Sequence, residues 1–194
     1  MICNNRTADF AIKEVFLQRQ SAYAMTSEPI TNEQLMILFE AARWSPSSYN
    51  TQPTRFIYAH RDTLAWDTLF DLMVPANQTW AKNAAVLVVV ISKRTMADNS
   101  PSITNSFEAG AAWMSLCLQA TMNGLSAHGM SGFDYEKTCK NLNIPDGFKV
   151  EIMCAIGKQA TQEVDQKFLD RDAKPTARKK LNEIATEGNF HFNE

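Results

Sequence analysis

Between two prolines, residues 45 to 53 read Ser45-Pro46-Ser47-Ser48-Tyr49-Asn50-Thr51-Gln52-Pro53. Hydroxyl and amide side chains fill nearly every other position. Pro46 and Pro53 restrict the backbone, so many hydrogen-bonding groups are held with little freedom. The chemistry this suits is the grip of a planar, polar group. The same residue types dominate ordinary turns, and a solvated helix-to-strand connection fits them equally.

Other chemistries find little support. The three histidines, His60, His128 and His191, share no helical spacing with one another or with a cysteine, so no metal site is expected. Cys3, Cys117, Cys139 and Cys154 contain no Cys-x-x-Cys pair and read as reduced thiols, mostly buried. No Gly-x-Gly-x-x-Gly and no Walker loop occurs among the seven glycines, which leaves a Rossmann or P-loop nucleotide site without basis. A net charge of -2 argues against nucleic acid as a partner. The longest apolar run, Ala84 to Ile91, is too short for a bilayer, and the first residues lack the apolar core of a signal peptide. No membrane association is expected, and the cytoplasm is the default compartment.

The elements that must position such a loop can be read from periodicity. Asp9 to Gln18 carries a loose helical stripe through Phe10, Val15, Phe16 and Leu17. Thr31 and Gln34 form a capping box, after which Leu35, Leu38, Phe39 and Ala42 recur on one face until Ser45-Pro46 stops the helix. Phe56 to Ala59 and Val86 to Ile91 read as buried strands, with a helical pattern around Leu64, Leu69 and Leu72 between them. From Ser106 to Asn123, Phe107, Gly110, Met114, Cys117, Leu118 and Thr121 share a stripe, predicting a long helix of core and subunit interface that Gly124 closes. Val150, Ile152, Cys154 and Ile156 alternate toward Gly157 as a further strand. The 194 residues, 45% hydrophobic, suffice for one domain spanning 1–194, of class α+β.

Ala41-Ala42-Arg43-Trp44 running into the 45–53 loop resembles the signature of the FMN-dependent nitroreductase family. A second block, Asn123-Gly124-Leu125 through His128-Gly129-Met130-Ser131-Gly132-Phe133-Asp134 to Ile144-Pro145-Asp146-Gly147, resembles its downstream signature at about the expected distance. The resemblance covers roughly residues 13 to 190, and Lys158 to Ala177 matches least. It implies a central, mostly antiparallel sheet flanked by helices, and a homodimer with FMN at the subunit interface. Arg19, Gln20 and Ser21 would begin the phosphate site, completed by Arg178 and Lys180, although Arg178-Lys179-Lys180 alone reads as a solvated charge cluster. Asn77 would face the flavin's pyrimidine side, where an amide both donates and accepts; it could equally end a helix. Pro46, Ser47, Ser48 and Asn50 would reach the ring from the neighbouring subunit. Ser131-Gly132 would approach flavin N5, an approach a glycine permits, though an ordinary turn also accounts for it.

The same resemblance implies an NAD(P)H oxidoreductase. Hydride would pass from NADH or NADPH to N5 and on to a nitroaromatic, a quinone or another electron-poor small molecule by ping-pong exchange. No general acid or base is assigned, and His128 reads as a packed or surface histidine rather than a proton donor. Gln20 stands at a position that is commonly basic, and Tyr23 and Trp80 stand where many relatives place lysine or arginine near flavin N1 and O2. Their lack of charge would alter the reduction potential. It also opens a different class, a flavin-binding store or redox sensor without turnover. A third reading is a family member with other acceptor chemistry, such as dehalogenation, desaturation or flavin breakdown.

Overall fold

In the computed structural model, which describes residues 6–174 and 176–192, four strands form one antiparallel sheet. They are β1 (Thr54–His60), β2 (Val86–Lys93), β3 (Leu125–Met130) and β4 (Phe148–Lys158), in spatial order β1-β2-β4-β3. Strand β2 is buried along nearly its whole length, because helices cover both faces of the sheet. On one face Leu87, Val89, Met153 and Ala155 pack against Trp66, Leu69 and Trp80. On the other, Val86, Val88, Cys154 and Ile156 meet Leu35, Leu38, Ala112 and Leu116.

Seven helices follow in chain order: α1 (Val15–Gln18), α2 (Asn32–Arg43), α3 (Leu64–Phe70), α4 (Pro75–Ala81), α5 (Asn105–Met122), α6 (Tyr135–Asn141) and α7 (Gln166–Asp172). The capping box at α2 is present: Thr31 Oγ1 accepts the Gln34 N–H at 3.1 Å, and Gln34 Oε1 accepts the Thr31 N–H at 2.8 Å. Gly124, at φ 73°, takes the left-handed turn after α5 and leads into β3. None of the described helices is long and apolar enough to cross a membrane.

Two sequence expectations are corrected. The helix expected over 9–18 is a single turn, Val15–Gln18, without a side-chain cap or a buried residue. A helix that short gains nothing from propensity alone and needs a packed face, which Phe10 and Phe16, 69% and 47% exposed, do not supply. The α5 stripe expected for core and subunit interface is only partly core. Glu108, Ala109, Ala112, Leu116, Cys117 and Ala120 are buried, whereas Phe107 is 81% exposed and Gly110 and Met114 also face outward. Small side chains turn inward because α2 and the sheet press closely there. Of the cysteines, Cys117 and Cys154 are buried and Cys139 is partly so; Cys3 lies outside the described residues.

Candidate functional site

The loop after α2 is anchored to α5. Ser48 N–H donates to Glu108 Oε1 at 2.8 Å, Thr104 Oγ1 donates to the same oxygen at 2.7 Å, and Ser45 Oγ and Ser115 Oγ share a bond of 2.8 Å. Within the loop, Ser47 Oγ accepts the Gln52 N–H at 2.9 Å, and the Asn50 and Thr51 N–H groups close turns onto Ser47 and Ser48. These ties hold Tyr49, Asn50 and Gln52 at positive φ, 49°, 55° and 48°. For residues other than glycine this region costs about 1 kcal/mol or more each, asparagine least, so the conformation persists only because it is over-determined. Pro46, Tyr49 and Asn50 thereby point outward, Tyr49 at 93% exposure.

A second group forms where α4 meets the turn after β3. Pro75 starts α4, so Asn77 lies in its first turn rather than ending a helix. Asn77 Nδ2 donates to the Gly132 carbonyl at 2.9 Å, and Val74 N–H donates to the same carbonyl at 3.0 Å. Trp80 Nε1–H donates to Asn77 Oδ1 at 3.3 Å, which fixes the amide's orientation. A Cβ on residue 132 would come 2.7 Å from Asn77 Nδ2 and 3.0 Å from a Val74 methyl, so only glycine fits this notch without displacement. Ser131 beside it is exposed.

The third group is cationic. Arg19 is the C-cap of α1, and its Nη1 donates to Ser21 Oγ at 3.3 Å. Gln20 does not face outward with it: Gln20 Nε2 donates to the Asp172 carbonyl at 2.6 Å. Arg6, which the sequence reading missed, donates through Nη1 to the carbonyls of Arg19 and Leu17 at 2.7 and 3.2 Å. Partial burial and the charges of Arg178 and Arg19 together push the Arg6 guanidinium below its ordinary value. Arg6 thus lies near both Arg19, whose carbonyl it holds, and Arg178, and none of the three is ion-paired with a carboxylate among the described residues. Such a cluster fits a dianion. Arg178 folds back onto Thr176 and Ala177, whereas no contact between Lys180 and the cluster is found; Lys180 instead begins the short 3-10 turn Leu181–Glu183.

Between the cations and the notch the chain from Gln20 to Met25 runs beside β3. Ser126 Oγ donates to the Gln20 carbonyl at 2.8 Å and accepts the Ala22 N–H at 3.1 Å. His128 Nδ1 lies 2.9 Å from the Ala22 carbonyl, which can only accept, so this nitrogen carries the proton. Burial, with Arg171 and Arg19 adding to it, lowers the imidazole below its usual value despite that bond. His128 closes a three-ring cluster with Trp80, 4.3 Å away and stacked, and Tyr23, 4.5 Å away and edge-on. It is a packed, neutral residue.

Among the described residues, the cavity at the loop is separate from the notch. A cavity of about 570 Å³ at the loop is lined by Phe39, Phe56, Tyr58, Arg43 and Glu108 along with Pro46 and Ser47, and by none of Arg19, Asn77, Ser131 or Gly132.

The sequence profile of the Nitroreductase family matches residues 16–73 and 65–158. The chain belongs to the nitroreductase family. A crystal structure of an oxidoreductase containing FMN superposes with a TM-score of 0.91 at 40% identity, covering 98% of each chain. A Rhodopseudomonas palustris (strain TIE-1) protein that carries the name NADH dehydrogenase/NAD(P)H nitroreductase is 28% identical over 166 residues, 75% of this chain and 84% of its own. The Bacillus subtilis (strain 168) protein named as the NAD(P)H nitroreductase MhqN is 26% identical over 182 residues, 75% and 86% of the two chains. A family protein of Desulfovibrio desulfuricans, crystallised in complex with FMN, shares the fold with a TM-score of 0.72 at 23% identity.

Proposed function

We propose that this nitroreductase-family protein binds FMN and uses NADH or NADPH to reduce small electron-poor acceptors, nitroaromatics and quinones among them. The observation that carries the reading is the cationic group in which Arg6 holds the Arg19 carbonyl, Arg19 reaches Ser21 Oγ and Arg178 lies near Arg6, a group of donors that a phosphate dianion would satisfy. Arg19, Ser21 and Arg178 hold the phosphate, Arg6 supports them, and Lys180, two residues beyond Arg178, is the further donor that the family resemblance adds. Asn77 presents its amide to the pyrimidine edge, and the Gly132 notch keeps side-chain bulk away from the ring. When bound, FMN accepts hydride from the nicotinamide and passes it on to the acceptor. The protein binds, orients and shields; no side chain is assigned as acid or base.

The separation of loop and notch supports a homodimer in which Pro46, Ser47, Ser48 and Asn50 of one subunit complete the site of the other. Ile103, Phe107 and Met122 of the α5 region are 95%, 81% and 61% exposed, and Trp44 before the loop and Tyr49 within it are 77% and 93% exposed. Large apolar side chains exposed in this number are suited to burial against a second copy. Leu181, Ile184 and Phe190 of the exposed C-terminal segment add to the surface such a partner would cover.

The test is a visible spectrum of the purified protein, followed by anaerobic addition of NADH or NADPH. A yellow protein that bleaches supports the reading. One that stays yellow with both nucleotides favours the store or sensor, and one that takes up no FMN overturns the site.

A further inference from the structure

Helix α7 lies in the stretch of sequence least similar to the family's pattern, yet it is fastened tightly to the site. The buried Asp172 carboxylate accepts the N–H groups of Tyr23, at 3.0 Å, and Ala24, at 2.8 Å, and the Asp172 carbonyl accepts from Gln20. One residue earlier, the Arg171 guanidinium sits 3.8 Å from the centre of the Tyr23 ring. Arg171, Tyr23, Trp80 and Asn77 line one cavity of about 490 Å³. The edge that Tyr23 and Trp80 leave without charge is thus next to a cation delivered from a segment about 150 residues away in sequence.

We propose that Arg171 supplies the positive charge for the pyrimidine edge of FMN and thereby raises the flavin's reduction potential, a role that rests on the FMN reading above. Hydride transfer to N5 oxidises the nicotinamide, which leaves as NAD(P)+, and adds one negative charge to the ring system at neutral pH. On the FMN reading that charge would lie toward Asn77, and a nearby cation would favour it over the neutral oxidised ring. The other charged groups around Arg171 do not perform this task. Lys167 is ion-paired with Asp165 at 2.7 Å and its ammonium lies over Phe168. The Asp172 carboxylate is turned into its two backbone donors, His128 is neutral, and Arg19 is engaged at the phosphate end. Arg171 has no carboxylate within ion-pair distance among the described residues. Tyr23 is what aims it: the ring is held edge-on to Trp80 and His128 and offers its face to the guanidinium.

The experiment compares the midpoint potential of bound FMN, by anaerobic dye equilibration, in the wild type, R171Q, R171K and K167Q, with oxidised-FMN affinity measured by fluorescence quenching. Arg171 is exposed, so its replacement leaves the core intact. Losing the cation is expected to weaken binding of the reduced flavin relative to the oxidised by about tenfold, a drop of about 30 mV for a two-electron couple. R171K is expected to retain most of the potential, and K167Q to shift it by less than half as much. A potential in R171Q equal to the wild type's, with FMN bound, overturns the role of Arg171 alone. A drop of equal size in R171K, or in K167Q, also overturns it, because the effect would then not follow the charge at 171. A wild-type protein that takes up no FMN overturns the underlying site reading, and this proposal with it.

Discussion

Glu108 is the residue on which the loop's conformation depends, and replacing it by alanine tests that directly. Its Oε1 accepts the Ser48 N–H and the Thr104 hydroxyl, and the side chain is 5% exposed, so water recovers little of the loss. A hydrogen bond to a charged acceptor contributes about 1.5–3 kcal/mol, and two bonds sharing one oxygen are not additive, which gives about 2–4 kcal/mol in all. The strain at Tyr49 and Gln52, about 1 kcal/mol each, then favours relaxation of the loop once the Ser48 tie is gone. Reordering it on FMN would cost about 2 kcal/mol, equivalent to a roughly 30-fold weaker Kd. The assay is a fluorescence-quenching titration with FMN, paired with thermal melts of the apoprotein. E108Q keeps a carbonyl acceptor for Ser48 and is expected to bind FMN within about threefold of wild type. E108A at wild-type affinity would refute the anchoring argument; E108Q as weak as E108A would show that charge, not the bond to Ser48, is what matters.

Gly132→Ala places a methyl 2.7 Å from Asn77 Nδ2 and so displaces the amide from the Gly132 carbonyl; about 1 kcal/mol of stability and roughly tenfold in FMN affinity should go, read by melt and titration. Inorganic phosphate at ten times its Kd should stabilise the apoprotein by about 1.4 kcal/mol, about 3–6 °C in Tm, and Arg19→Ala should abolish both this shift and retention of FMN on purification. His128 binds its proton less readily folded than unfolded, so the stability it contributes is complete above its ordinary pKa of 6.5 and is lost as pH falls below it, at up to about 1.4 kcal/mol per pH unit. His128→Gln, which does not titrate but keeps a donor for the Ala22 carbonyl, should flatten that slope in chemical denaturation between pH 7 and 5; an unchanged slope would count against it. Burial pushes the Cys117 thiol up to about 12, so an alkylating reagent at pH 8 should leave it unmodified until the protein is denatured, as peptide mass spectrometry would show.

How much of this was legible in the sequence depended on whether the signal was local. The Thr31–Gln34 capping box is written within four residues, and the structure follows it. The strands around Phe56 and Val86 stand out as apolar runs bounded by polar residues, and both form. Helix α5 was legible in extent but not in orientation, because a helix apolar on nearly all sides has no periodic signal to say which face is core. Strand β3 was hidden because Ser126, His128 and Gly129 are poor strand formers; Ser126 and His128 are held in the interior by tertiary bonds to Gln20 and Ala22. Arg6 and Arg171 were missed for the same reason, since their significance lies in what distant segments bring beside them.

Those two arginines show how charge is managed here without a nucleotide-binding motif. Gln20, at a position that is commonly basic, is withdrawn from the surface to hold α7 through the Asp172 carbonyl. Substituting leucine at residue 20, which has no donor, would release a 2.6 Å bond that helps dock the helix carrying Arg171. The same linkage explains why burial can raise the Asp172 carboxyl while the group still serves as an anchor, its two backbone donors and Arg171 pulling back against the cost of burial. In the proposed site, charge at the phosphate end would be local, from Arg6 and Arg19 with Arg178 arriving from the C-terminal segment. Charge at the ring end is imported by α7, and one stretch of chain, Gln20 to Ala24, ties the two together.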